Sequence, residues 1–227
     1  MMNMNIVNKI DHQVKIKYVL ASVSDKSNLN VFIPQLVNIN PKVNIISTGG
    51  TYNHIKEILG SNASSNLSKV SDYTGRQETQ GGLVKTLDFK IYLGLLTETY
   101  NTSHTQDLKR TGAFPIDMVI VNLYPFEATV AKKDVTVEQA RGNIDIGGPC
   151  MIRSAAKNFL RVASVVDPSD YESIIDHMNA EGGALNLDVR FRLAQKAFEH
   201  IANYDRAIAD FLSSQPIDNV TSCYNRS

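Results

Sequence analysis

The sequence is short of several things, and each shortage narrows what the protein can be. Its 227 residues hold two cysteines, Cys150 and Cys223, neither of them in a CxxC pair. That argues against a disulfide framework and against a cysteine-built zinc site. The five histidines, His12, His54, His104, His177 and His200, never stand at HxxxH spacing, so each reads as a surface or core residue and no metal is expected. Neither sign of charge dominates, with 23 basic residues against 23 acidic ones. No basic run is longer than Lys132-Lys133, and no aromatic residues interleave with one. Gripping a nucleic-acid backbone needs a concentrated positive face, so nucleic acid is not the expected partner. No apolar run approaches the roughly 18 residues that a membrane span requires. The opening MMNMNIVNKIDHQVKIK has no apolar core of signal-peptide length. The expectation is a soluble cytoplasmic protein with no membrane partner.

What is there is enough to build a core: 43% of the residues are hydrophobic. Residues 1–15 read as a polar lead-in. A strand is expected over 18–23, then a helix with an apolar stripe from Leu29 to Val37, flawed by Pro34. A second strand, 43–47, precedes a helix near 51–60. Residues 61–82, rich in Ser, Asn, Gly and Gln, read mostly as loop with one short strand at Leu67–Val70. The run Asp117-Met118-Val119-Ile120-Val121-Asn122 is the clearest central strand, and Arg161–Val166 is another. Helices are expected at 136–142, 148–158, 168–180 and 188–213, and 214–227 reads as a tail. Strands alternating with helices predict a parallel α/β sheet with its ligand crevice at the C-terminal ends of the strands.

Three of those strand ends carry donors. Ser22 to Lys26 follow the first, Thr48-Gly49-Gly50-Thr51 the second, and Asn122-Leu123-Tyr124-Pro125 the strand at 117–121. Adjacent glycines at a helix start leave backbone N–H groups uncovered, which suits an anion, most often phosphate. Lys26 adds a cation. A phosphorylated small molecule is the ligand this pattern favours over three unrelated turns.

Seven stretches in this order carry a resemblance: Ser22-Val23-Ser24-Asp25-Lys26, Ser47-Thr48-Gly49-Gly50-Thr51, Val70-Ser71-Asp72-Tyr73-Thr74-Gly75, Val84-Lys85-Thr86-Leu87, Asn122-Leu123-Tyr124-Pro125-Phe126, Asn143-Ile144-Asp145-Ile146-Gly147-Gly148-Pro149 and Arg153-Ser154-Ala155-Ala156-Lys157-Asn158. Residues 16–213 resemble the IMP cyclohydrolase half of the bifunctional AICAR transformylase/IMP cyclohydrolase family, without the transformylase half. The resemblance implies a methylglyoxal-synthase-like fold, a three-layer α/β sandwich with a mainly parallel sheet between helices. It implies closure of FAICAR to IMP with loss of water and no cofactor. Its substrate-binding residues fall on Ser24, Asp25, Lys26, Thr48, Gly49, Gly50, Thr51, Val84, Thr86, Asn122 and Ile146. Its catalytic residues fall on Lys157 for proton transfer, Lys85 as a second cation, and Asp145 and Tyr124 to orient the reacting groups. Apart from the resemblance, Lys157 reads as a cation favoured at a helix C-terminus, and Asp145 as a helix cap. The resemblance leaves room for a homodimer and for a separate AICAR transformylase.

The middle motif departs from the family. Where an arginine, a histidine and a proline are usual, this chain has Leu83, Asp88 and Phe89, and Arg76 stands where an apolar residue is usual. Losing an arginine and gaining a carboxylate should weaken an anion site. Arg76 either swings in to replace the guanidinium or stays a solvated loop residue. The readings open at this point are an IMP cyclohydrolase, a catalytically impaired nucleotide-binding or regulatory module on the same fold, and, more weakly matched, a methylglyoxal synthase.

Overall fold

A computed structural model describes residues 6–77 and 84–225. The strands are β1 (Gln13–Lys15), β2 (Tyr18–Val23), β3 (Asn44–Ser47), β4 (Leu67–Lys69), β5 (Met118–Asn122), β6 (Ala163–Val165) and β7 (Ala184–Asn186). Five of them form one wholly parallel sheet in the order β4-β3-β2-β5-β6, and β1 pairs antiparallel with β7. The helices of the first half are α1 (Leu29–Ile39), α2 (Gly49–Leu59), α3 (Ala63–Asn66), α4 (Val70–Thr74), α5 (Phe89–Leu96) and α6 (Thr102–Thr111). Those of the second half are α7 (Phe126–Val130), α8 (Val137–Gly142), α9 (Gly147–Lys157), α10 (Tyr171–Ala180), α11 (Leu187–Ser213) and α12 (Ile217–Thr221).

The strands are apolar on both faces because both faces are covered. Successive side chains point to opposite sides of a strand. Val19, Ala21, Ile45, Met118 and Ile120 therefore join Phe32, Ile33, Leu36, Ile55 and Ile175 in one core. Leu20, Ile46, Val119 and Val121 join Ile91, Leu95, Ile152, Ala155, Ala197 and Ile201 in the other. The result is the expected three-layer sandwich. Chain order runs outward from β2 through β3 to β4, then restarts at β5 on the other side of β2. That reversal opens a crevice where β2 and β5 end, at Val23 and Asn122.

Several local expectations need correction. The lead-in is partly structured: Gln13–Lys15 pair with Asn186–Ala184. Arg190, fully buried, ties this two-stranded sheet down by donating to the carbonyls of Asp11, His12, Phe159, Leu160 and Leu185. Residues 61–77 are more helical than their composition suggests, with α3 and α4 flanking β4. Pro34 stands inside α1, five residues after the helix begins at Leu29, so the helix accommodates a missing backbone N–H there. The tail forms α12, and the Tyr224 hydroxyl donates to Glu138 of α8. No described helix is long and apolar enough to cross a membrane.

Candidate active site

The crevice holds a cavity of about 480 Å³ lined by residues from every motif but two. The loop after β2 supplies Ser24 and Lys26, and the loop after β3 supplies Thr48, Gly49, Gly50 and Thr51. From 84–88 come Lys85 and Thr86, from the end of β5 Asn122 and Tyr124, and from the start of α9 Asp145 and Ile146. The tyrosine-threonine-glycine turn at 73–75 and Lys157 stay outside.

Two helices of eleven residues, α2 and α9, begin at this cavity. The first N–H groups of a helix have no partner within it, and the helix dipole makes that end positive. Thr48, the cap of α2, makes no side-chain hydrogen bond to the helix. The amides of Gly49 and Gly50 therefore face the cavity without a local acceptor from their cap. Gly49 has φ of 48°, and a side-chain carbon there would lie 3.4 Å from Lys85 Nζ. One at Gly50 would lie 4.0 Å from Lys26 Cε. The two lysines thus sit over the glycine pair. Lys26 Nζ also donates to Ser24 O at 3.3 Å.

Asp145 caps the other helix. Its Oδ1 accepts the Gly148 amide at 2.9 Å, and its own amide donates to the Tyr204 hydroxyl at 2.8 Å. Burial pushes its carboxyl above the usual carboxylate range, and the bonds from Gly148 and Gly147 draw it part of the way back. The approach is close: a side-chain carbon at Gly148 would lie 2.5 Å from Asp145 Oδ2, and one at Gly147 2.6 Å from Thr86 Oγ1. Tyr124 and Ile146, 55% and 58% exposed, stand at the mouth.

Some expected ligand groups hold the protein instead. The Thr51 hydroxyl accepts from Val23 N and donates to Val23 O, both at 3.0 Å, so its one proton is committed. Asn122 accepts the amides of Ser24 and Asp25 at 2.7 and 2.8 Å and donates to Asp25 O at 2.8 Å. It shapes the Lys26 loop. The Asp25 carboxylate turns outward to Ser27, whose hydroxyl and amide hold its pKa down. Val84 lines an adjoining depression with Asp88 and Arg76.

Lys157 is the main departure. It is exposed in the last turn of α9, and eleven helical residues put it roughly 15 Å from the helix start at the cavity. Position supports the helix-dipole reading within one chain. Leu83 lies outside the described residues. Asp88 is almost buried, caps α5 through the Lys90 amide at 2.8 Å, and pairs with Arg76 Nε at 3.2 Å. Arg76 is thus engaged by the added carboxylate and does not line the main cavity. Met151, which lines the cavity, was missed because an apolar residue on a helix reads as core, and Tyr204, on the apolar face of α11, reaches the site through the Asp145 amide.

The fold and this site define a class. Residues 29–150 match the model of the MGS-like domain, and the chain belongs to that family. Residues 155–226 match the model of the AICARFT/IMPCHase bienzyme. Over 197 residues the chain is 45% identical to the bifunctional purine biosynthesis protein PurH of Ruminiclostridium cellulolyticum, a match covering 87% of this chain and 37% of that protein. The chain therefore spans little more than a third of that curated relative. The fold is similar to the crystal structure of ForH, with a TM-score of 0.71 and 29% identity over 86% of this chain and 98% of that one.

Proposed function

We propose that this cavity closes the ring of FAICAR to give IMP. The observation that carries the reading is the meeting of Lys85 and Asp145 in one cavity with the starts of α2 and α9. About 480 Å³ lies within the range of small-molecule sites. In this reading the phosphate rests on the Gly49 and Gly50 amides and Lys26, and the base lies toward Tyr124 and Ile146. The carboxamide nitrogen attacks the formyl carbon, and Asp145 takes the proton that nitrogen gives up. A carboxyl raised by burial is a better base than an exposed one. Lys85 donates to the formyl oxygen as its charge grows and gives it a proton, leaving a hydroxyl. Asp145 returns the proton it took to that hydroxyl, which departs as water, and the former formamide nitrogen gives its proton back to Lys85 as the C=N bond forms.

The preceding formylation falls to a transformylase, whether carried on a separate protein or not. A second reading, a nucleotide-binding module without turnover, draws support from the placement of Lys157 outside the cavity. Incubating purified protein with FAICAR while recording IMP absorbance separates the two. A protein-dependent rise abolished in Lys85→Arg supports the cyclohydrolase. Tight IMP binding with no rise supports the module.

A further inference from the structure

The sheet's opposite end carries a second cavity, of about 680 Å³. It opens where β2 and β5 begin, beside Tyr18 and Asp117, away from the strand ends that form the first site. Val14, Tyr18, Leu108, Ala113, Phe114 and Pro115 give it an apolar wall. The rings of Tyr73, Phe114 and Tyr18 form a ladder, with centroids 4.2 Å apart at each step. Tyr18 and Phe114 line the cavity and Tyr73 does not, so the ladder ends there.

The charge around it is unbalanced. Lys15, Lys17 and Lys109 line it. Arg161 lines it too, so four cations face three carboxylates, Asp117, Asp11 and Glu98, each of which accepts hydrogen bonds. Asp117 Oδ2 accepts the Lys17 and Tyr18 amides at 2.9 Å, and its Oδ1 faces Arg161 Nη1 at 3.5 Å. Asp11 accepts the Tyr100 hydroxyl at 2.6 Å, and Glu98 accepts Asn101 Nδ2 at 3.3 Å. Among the described residues the ammonium groups of Lys15 and Lys109 form no ion pair. Thr97 provides a second, independent sign. It lines the cavity and is 3% exposed, yet its hydroxyl has no hydrogen-bond partner. Its carbonyl is fixed by Asn158 Nδ2 at 2.9 Å and Arg161 Nε at 3.2 Å. A buried hydroxyl without a partner is unfavourable and seldom kept without reason. Among the described residues nothing holds this one, so it is available to a ligand in the cavity that Thr97 lines.

We propose that this cavity is a second binding site, for a small aromatic acid. The ring continues the Tyr18–Phe114 stack, the carboxylate lies between Lys15 and Lys109, and Thr97 donates to it. An apolar wall with a few convergent polar groups is the usual composition of a small-molecule site, and aromatic pairs favour the stacked geometry already present here.

The test uses 1-naphthoate as the probe, titrated into the intact ¹⁵N-labelled protein, with 1-naphthamide as its neutral counterpart. The expected result is a cluster of amide shifts around Thr97–Thr99 and Ala113–Phe114, while Gly49, Gly50, Gly147 and Gly148 stay still. Naphthamide should bind at least tenfold more weakly. The double variant Lys15→Ala/Lys109→Ala, altered only at exposed residues, should lose at least tenfold in affinity. Thr97→Val should lose severalfold without a lower Tm, since its hydroxyl bonds to nothing in the free protein. No shifts at 5 mM naphthoate would overturn the proposal. So would shifts centred on the glycine amides, equal binding of the amide, or indifference to the lysine pair.

Discussion

Gly148→Ala tests how tightly the start of α9 is built against Asp145. The added carbon would lie 2.5 Å from Asp145 Oδ2 and 2.6 Å from Leu123 Cδ2. Both are well inside van der Waals contact, and Leu123 is itself buried. The carboxylate must swing away, which breaks its bond to the residue-148 amide at 2.9 Å, or the helix start must shift. Overpacking of this kind costs about 1–3 kcal/mol. For a chain of this size that is a fall in Tm of several degrees. Gly142→Ala is the matched control: its added carbon meets nothing within 4 Å. At the end of α8 it should gain up to about 1 kcal/mol from reduced backbone freedom. Thermal unfolding followed by circular dichroism reads both, and calorimetry with IMP reads the site. Gly148→Ala should weaken IMP binding because the displaced carboxylate enters the cavity. If it melts with the parent protein and binds IMP equally well, the close packing described for Asp145 is wrong.

Four further outcomes are expected. Lys85→Arg keeps the charge but cannot give up a proton at neutral pH; single-turnover assays with FAICAR should show at least about a hundredfold loss in rate, and an unchanged rate would remove Lys85 from the chemistry. Lys157→Arg should keep both IMP affinity and turnover; a hundredfold loss of turnover would mean that Lys157 acts from a second copy of the chain. Arg190→Met leaves the carbonyls of Asp11, His12, Phe159, Leu160 and Leu185 without this donor, and urea unfolding should show a loss of at least about 3 kcal/mol, whereas a loss under 1 kcal/mol would show that water replaces the guanidinium. Asp167, bonded by Lys196 and the Ser169 amide, has its pKa lowered from 3.8 to about 2. A depressed carboxyl stabilises the fold fully above its unfolded value and loses that contribution as pH falls through its folded one. Asp167→Asn should therefore flatten the acid limb of stability between about pH 4 and 2; a limb of unchanged slope would assign it to other groups.

The strands were legible because their apolar runs are unbroken, as burial on two faces demands. β1 and β7 were not, since three residues carry too short a pattern and each pairs with a strand about 170 residues away. α5 and α6 lie where composition is misleading: α6 buries no residue, so it has no apolar stripe to read. In the site, position along the chain located the loops but not the use of each group. Thr51 and Asn122 look like ligand donors in sequence, and only the partners at Val23 and Asp25 show that their bonds are spent. Lys157 shares a helix with the residues that follow Asp145, and the length of that helix carries it away from the cavity, which the sequence spacing alone does not reveal. Asp88 looked like an intrusive charge, and its pairing with Arg76 depends on a loop conformation that sequence does not give.

The wholly parallel sheet has a consequence for how the molecule comes together. Tyr18 meets Asn44 after a short excursion of chain, but Val19 must also meet Met118, roughly a hundred residues on. Closing the longer loop costs about 1 kcal/mol more in chain entropy, and pairing of such high contact order is slow. The β2–α1–β3–α2 half, with Lys26 and the glycine pair, is the part able to form early. The half that carries Tyr124 and Asp145 joins only when β5 docks against β2. The loops of Lys26 and the glycine pair are thus older, in folding time, than the wall of the cavity that faces them. A chain halted between the two steps would expose the β5-facing edge of β2 to any other strand in reach.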